Sequence, residues 1–207
     1  MPLPNVLING VRSESGRALA AAFRAAGYYT VGLDSRDYYD YQCDRFVQFD
    51  GVRFEQETDY RIRFSDILDQ LLPTVEVLVH ALPVYEFSDS TGLSLPTWKD
   101  FQSGHLAGPL LLAQLFLPKI NKVQGLQLVC PPRETPEDTN DREAGPLLRS
   151  AGRLLFEALR LQSGSGVRVV GLAPAAASPA DTQQLCATAV YLASEAGRTT
   201  DGVYWAL

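Results

Sequence analysis

The stretch Asn5-Val6-Leu7-Ile8-Asn9-Gly10-Val11-Arg12-Ser13-Glu14-Ser15-Gly16-Arg17-Ala18-Leu19-Ala20-Ala21-Ala22-Phe23-Arg24-Ala25-Ala26-Gly27 decides how this 207-residue chain is read. Asn5 to Ile8 is a short apolar run that Gly10 breaks. From Gly16 the apolar positions Ala18, Leu19, Ala22, Phe23 and Ala26 fall at helical spacing, and Gly27 stands where a helix C-cap belongs. A buried strand that turns tightly into a helix opens a βαβ unit.

The alternation continues outward. Thr30-Val31-Gly32-Leu33, closed by Asp34, reads as a second strand, and Phe46-Val47-Gln48-Phe49 as a third. Phe64 to Leu72 reads as a helix stopped by Pro73. Val75 to Leu82 is nearly continuous apolar sequence, which predicts a strand covered on both faces. Leu106 to Ile120 predicts a long apolar helix, and Leu126-Gln127-Leu128-Val129-Cys130 a fifth strand. Leu147, Leu148, Ala151, Leu155, Ala158 and Leu159 make another helical stripe. Val167 to Leu172 gives a sixth strand. Leu185, Ala189, Leu192 and Ala193 mark the last helix, ahead of a strand-like Val203-Tyr204-Trp205. The pattern predicts a single α/β domain over residues 1–207, a doubly wound parallel sheet of Rossmann type with helices on both faces. The polar stretches 35–45, 85–96 and 131–145 read as loops.

Composition narrows the function. Eighteen Lys and Arg against twenty-four Asp and Glu give a net charge of -6, which repels phosphate backbones and speaks against nucleic acid as a partner. Three scattered cysteines, at 43, 130 and 186, contain no CxxC and fit a reducing compartment. With His80 and His105 as the two histidines, a multi-histidine metal cluster is not expected. The N-terminus has no basic region followed by an apolar one, and no apolar stretch approaches the roughly 18 residues of a membrane span. The expectation is a cytoplasmic protein with neither metal nor membrane partner.

In a doubly wound sheet the first strand–helix turn is where a helix N-terminus meets phosphates. That turn, Asn9-Gly10-Val11-Arg12-Ser13-Glu14-Ser15-Gly16, resembles the TGxxxGxG turn of the short-chain dehydrogenase/reductase family. Other segments follow in the family's order. Phe49-Asp50 matches the acidic residue after the third strand. Val77-Leu78-Val79-His80-Ala81-Leu82-Pro83 occupies the place of the NNAG strand. Trp98 through His105-Leu106-Ala107-Gly108-Pro109 matches the helix that carries an active-site Asn. Val167-Arg168-Val169-Val170-Gly171-Leu172-Ala173-Pro174 resembles IRVNxIxPG. Ala189-Val190-Tyr191-Leu192-Ala193-Ser194-Glu195 resembles FLxSD, and Thr200-Asp201-Gly202 the TGxxxxVDGG ending. The likeness spans essentially the whole chain and leans toward the pteridine-reductase-like branch. It implies an NAD(P) site built from Gly10, Arg12, Ser13, Gly16, Asp34, Asp50 and Ala81, with Asp34 toward ribose and Asp50 toward adenine.

The chain departs from the family where the chemistry lies. Reduction in the family uses a Tyr as proton donor, a Lys one helical turn later that lowers the phenol's pKa, a Ser and an Asn. No tyrosine lies between Glu86 and Val190, and no lysine follows Lys122. The matching helix offers Arg149 and Arg153, and arginine donates no proton near neutral pH. Cys130 or Pro131 stands at the Ser position and His105 at the Asn position. In the turn, Glu14 replaces the middle glycine and brings bulk and like charge toward a pyrophosphate. Leu82-Pro83 replaces the Ala-Gly beside the fourth strand. The segment between Pro174 and Leu185 is short where the family inserts a lid over the substrate. Weak NAD(P) binding is expected.

Each of these residues also has an ordinary structural reading. Gly10 and Gly16 suit a tight turn with or without a ligand. Asp34 and Asp50 either bind the dinucleotide or cap loops. Arg12 either meets a phosphate or pairs with Glu14. His105 reads as a hydrogen-bonded structural residue before an acid or base, and Cys130 as a buried small residue before a nucleophile. Arg149 and Arg153 either bind an anion in the former active site or lie on the helix face, with Arg153 paired to Glu157. The helices 106–120 and 147–161 carry more apolar residues than one face needs. In the resembled family they pack against a symmetry mate, which implies a homodimer or a hetero-oligomer here. Two readings follow. One is a non-catalytic binding or assembly module, holding a small molecule or a partner protein. The other is an NAD(P)-dependent oxidoreductase with an altered active site.

Overall fold

A computed structural model describes residues 3–35, 42–82, 94–120, 125–131, 144–163, 166–173 and 179–206. Seven strands make one sheet: β1 (Asn5–Asn9), β2 (Tyr29–Asp34), β3 (Arg45–Gln48), β4 (Val77–Ala81), β5 (Leu126–Cys130), β6 (Arg168–Ala173) and β7 (Tyr204–Ala206). Their order is β3-β2-β1-β4-β5-β6-β7, and every neighbouring pair is parallel. The direction of winding changes between β1 and β4, so the crevice lies beyond the carboxyl ends of those two strands. The fold is the predicted doubly wound α/β sheet.

The helices are α1 (Glu14–Ala25), α2 (Gly51–Gln56), α3 (Thr58–Leu71), α4 (Leu95–Gln102), α5 (Gly108–Phe116), α6 (Ala144–Ser163) and α7 (Pro179–Ala193). Strand alternation divides the core in two. Val6, Ile8, Val77, Val79, Leu128 and Val170 face Leu19 and Phe23 of α1 and Leu185 and Leu192 of α7. Leu7, Leu78, Val129 and Val169 face Phe64 and Leu68 of α3, Phe116 of α5, and Leu155 and Phe156 of α6. Each such side chain removed from water is worth about 1.5–3 kcal/mol, which explains why the unbroken apolar runs become the central strands.

Several element boundaries differ from the pattern for local reasons. α1 begins two residues before Gly16 because Ser13 caps it, its Oγ accepting from Gly16 N at 2.9 Å. The predicted helix 106–120 is the end of a longer one. A π-helical turn, Ser103–Ala107, joins α4 to α5, which stops at Phe116, and Ile120 then bridges to Val75 beside β4. Leu95 and Pro96, expected in a loop, form the first turn of α4 behind the Ser94 cap, where Pro is well tolerated. The rest of that expected loop, most of the 131–145 loop and the lid position 174–178 lie outside the described residues.

Among the described residues, two polar side chains are fully buried in the adjacent strands β4 and β5. His80 of β4 and Gln127 of β5 are fully buried on the face that packs against α6. Gln127 Nε2 donates to Ser163 Oγ at 2.7 Å. Neither His80 ring nitrogen makes a hydrogen bond of ordinary geometry among the described residues. Burial pushes the His80 pKa down to about 4, against a smaller opposing effect of the Gln127 carboxamide.

Candidate functional site

The turn after β1 is closed by its own backbone. Gly10 has φ +84°, a left-handed conformation that glycine adopts without strain. A Cβ at this position would overlap the carbonyl oxygen of Ala81, so the turn is pressed against the end of β4. Gly10 N and Val11 N both donate to Leu33 O, at 2.9 and 3.1 Å, and Ser13 N donates to Gly10 O at 3.0 Å. Arg12 N donates to Asp34 Oδ2 at 3.2 Å and Gly16 N to Ser13 Oγ at 2.9 Å. Five backbone donors between Gly10 and Gly16 thus end on protein acceptors.

Gly10, Arg12, Ser13, Gly16, Asp34 and Ala81 therefore come together at the crevice. Asp34 holds the turn with one oxygen and accepts from Ser35 N with the other, at 2.9 Å. Asp50 caps α2, its Oδ1 accepting from Val52 N and Arg53 N at 3.0 and 3.1 Å. The expected pairing of Arg12 with Glu14 is not formed among the described residues. Glu14 is instead the first residue of α1, where a carboxylate faces the positive end of the helix dipole.

The positions that would carry reduction separate into two places. His105 lies in the π-helical turn, 2% exposed, stacked on Phe101 with ring centroids 4.6 Å apart. Cys130 ends β5 with no exposed surface and packs into the core shared with α1 and α7. Burial pushes its thiol well above the ordinary range, so the thiolate a nucleophile needs is not available. Arg149 and Arg153 are exposed on α6. Glu157 pairs with Arg160 at 3.6 Å rather than with Arg153, a correction to the expected i,i+4 pair. The three-residue spacing competes equally well on a helix surface.

One residue at this end of the sheet is not visible from the helix pattern. Tyr204 of β7 stands opposite Gly171 of β6 in the parallel register, and its ring occupies the space a Gly171 side chain would fill. The ring also meets Phe156 edge-on at 5.3 Å. Its hydroxyl reaches α6, 3.6 Å from where a Gly152 Cβ would stand, beside Pro131. Arg153 and Arg149 favour the phenolate, but burial and the nearby Cys130 thiol outweigh them and hold the Tyr204 pKa above its usual value. The last strand thus brings a phenol to the surface of α6. The sequence signal was a pair of glycines, Gly152 inside a helix and Gly171 inside a strand, which mark a close approach.

Among the described residues, no group of three or more His, Cys, Asp or Glu could hold a metal ion, and no helix is long and apolar enough to cross a membrane.

The sheet order and the closed first turn define a Rossmann-type doubly wound protein. Solved structures make the class more specific. An oxidoreductase of the short-chain dehydrogenase/reductase family from Brucella ovis, in complex with a partially ordered NAD, superposes with a TM-score of 0.76 at 17% identity and covers 100% of both chains. A 4-hydroxyisoleucine dehydrogenase complexed with NADH and succinate gives 0.75 at 18% identity, over 98% of this chain and 96% of that one. A short-chain dehydrogenase from Bacillus anthracis gives 0.73 at 16% identity, over 99% and 94%. No family model matches the sequence, and neither does any curated protein sequence. The chain has the fold of the short-chain dehydrogenases/reductases.

Proposed function

We propose that the chain is a non-catalytic protein of short-chain reductase fold, acting as a binding or assembly module. What supports this reading is α6, which carries Arg149 and Arg153 at the positions where the family resemblance would put the proton-donating Tyr and its Lys partner. A guanidinium is not a proton donor to a carbonyl near neutral pH. Neither His105, buried under Phe101, nor Cys130, buried in the core, replaces it.

NAD(P), when bound to such a fold, supplies a hydride. The residues around the first turn fit a dinucleotide poorly. The turn's donors are used internally, Asp34 is held by Arg12 N, and a glutamate stands where close approach of a pyrophosphate needs a glycine. Weak binding follows. Assembly is supported by the outer face of α6. Leu154 and Leu161, seven residues apart, are 58% and 88% exposed, while Leu147 one heptad earlier packs partly against Phe101, Leu148 and Ala151. A leucine seam of this kind suits packing against a second helix pair.

The altered oxidoreductase remains a second reading on one specific observation, the Tyr204 hydroxyl at α6. The two are separated by incubation with NADH and NADPH across a panel of aldehydes and ketones. The module reading expects no nucleotide oxidation above background. Turnover that disappears in Tyr204→Phe would overturn it.

A further inference from the structure

The two faces of the sheet treat polar side chains differently. Toward α1 and α7, Thr30 lies beside Val6 in the parallel register, and its Oγ1 donates to Asp44 Oδ2 at 2.9 Å. Toward α5 and α6, His80 and Gln127 stand fully buried on adjacent strands. Among the described residues, both His80 ring nitrogens and Gln127 Oε1 lack a hydrogen bond of ordinary geometry. The pair is tied to the helix layer through Gln127 Nε2, which donates to Ser163 Oγ at the end of α6. Leu112 and Phe116 of α5, and Leu155 and Leu159 of α6, close an apolar layer over this face. No charge answers the imidazole. Its register partners, Asn9 and Val129, are neutral, and α5 has no titratable side chain. Arg149, Arg153, Glu157 and Arg160 of α6 are exposed, as are Arg53 and Glu55 of α2. On α3, Arg61 is half-buried and the other charged side chains are exposed, with Asp69 paired to Lys119. His105 stacks on Phe101, and burial holds Tyr60 and Tyr204, at the margins of the layer, neutral. The two influences on His80 are burial and the Gln127 carboxamide.

We propose that the sheet face under α5 and α6 is an acid-sensitive joint, in which protonation of His80 releases this helix layer while α1 and α7 stay docked. A neutral imidazole is tolerated among apolar side chains, whereas an imidazolium there has neither water nor a counter-charge. Opening on this side hydrates His80 and Gln127 together and leaves the apolar contacts of α1 and α7 in place. The joint weakens as pH falls from about 6.5, where a hydrated imidazole titrates, toward about 4, the value in the closed state. It does not depend on whether the crevice binds a dinucleotide.

The two tryptophans report the two sides. Trp98 packs with Phe101 against Leu148 and Ala151 of α6, and Trp205 packs into the core shared with α1 and α7. Emission of the full chain is followed from pH 7 to pH 4, with Trp98→Phe and Trp205→Phe isolating each indole. The expected result is a red shift of Trp98 at a higher pH than any change at Trp205. His80→Leu and His80→Gln each remove the titrating group, and in either variant the Trp98 shift disappears above pH 4. A readout that needs no His80 variant is NMR of ring-labelled histidine, where one of the two imidazoles changes with the midpoint of the Trp98 shift. The joint is overturned by simultaneous change at both tryptophans, by no change at Trp98 above pH 4, by a Trp98 shift that persists in a folded His80 variant, or by histidine resonances that both ignore it.

Discussion

Glu14 does two things at one position. Its carboxylate complements the helix dipole at the start of α1, and on the proposed reading it places a negative charge where a pyrophosphate would approach. Removing it should favour the dinucleotide by relieving bulk and repulsion together. Glu14→Gly is expected to tighten NADH binding about tenfold, which corresponds to about 1.4 kcal/mol, measured by nicotinamide fluorescence. His80 acts on stability instead. Its pKa is about 4 in the folded chain and near 6.5 when unfolded. Between these values the unfolded chain binds a proton that the folded chain refuses, so stability falls as pH drops from about 6.5 toward 4 and changes no further from this group below that. At pH 5 the loss is about 2 kcal/mol. His80→Leu, which fills the site without a titrating group, should reduce the fall in Tm between pH 7 and pH 5. An unchanged pH dependence would show that His80 is not its source.

At the level of elements, α6 joins core, site and outer surface. Its inner face carries Leu155, Phe156 and Leu159 into the core, while Leu154 and Leu161 face out. If that outer face is an assembly surface, Leu154→Glu with Leu161→Glu should convert a dimer to a monomer by light scattering without lowering Tm. A wild-type chain that is monomeric at high concentration would remove the seam from the account. The elements also show what could be read before the structure. β5 was legible residue for residue because burial on both faces leaves a nearly continuous apolar signature, interrupted at Gln127. α2 (Gly51–Gln56) was not, since a six-residue helix carries too little periodicity and is set by its Asp50 cap. Gly10, Arg12, Ser13, Gly16, Asp34 and Ala81 could be placed at one crevice through the resemblance of their segments to the short-chain reductase pattern, whose first strand–helix turn is a local feature. Tyr204 could not. Its meeting with α6 depends on β7 pairing with β6, a long-range contact with no local trace beyond two glycines. Nor does spacing decide whether Glu157 chooses Arg153 or Arg160.

The described residues have the sheet and the winding of the short-chain reductases, and the proposed reading is that the groups that would use them have changed. The two are separable because a fold is fixed by burial across the sheet, whereas function belongs to a few side chains at its edge. Among the described residues the fully buried polar side chains of the strands are Thr30, His80 and Gln127, whereas on the proposed reading the crevice carries Glu14 at a glycine position and two arginines at a Tyr/Lys pair. A turn whose donors already end on Leu33 O, Gly10 O, Asp34 and Ser13 Oγ has little left to offer a dinucleotide. The most direct measurement is a titration of the intact wild-type chain with NADH, followed by nicotinamide emission. The account predicts no saturation in the micromolar range and no enhanced emission. Saturable micromolar binding with a bright, ordered nicotinamide would contradict it.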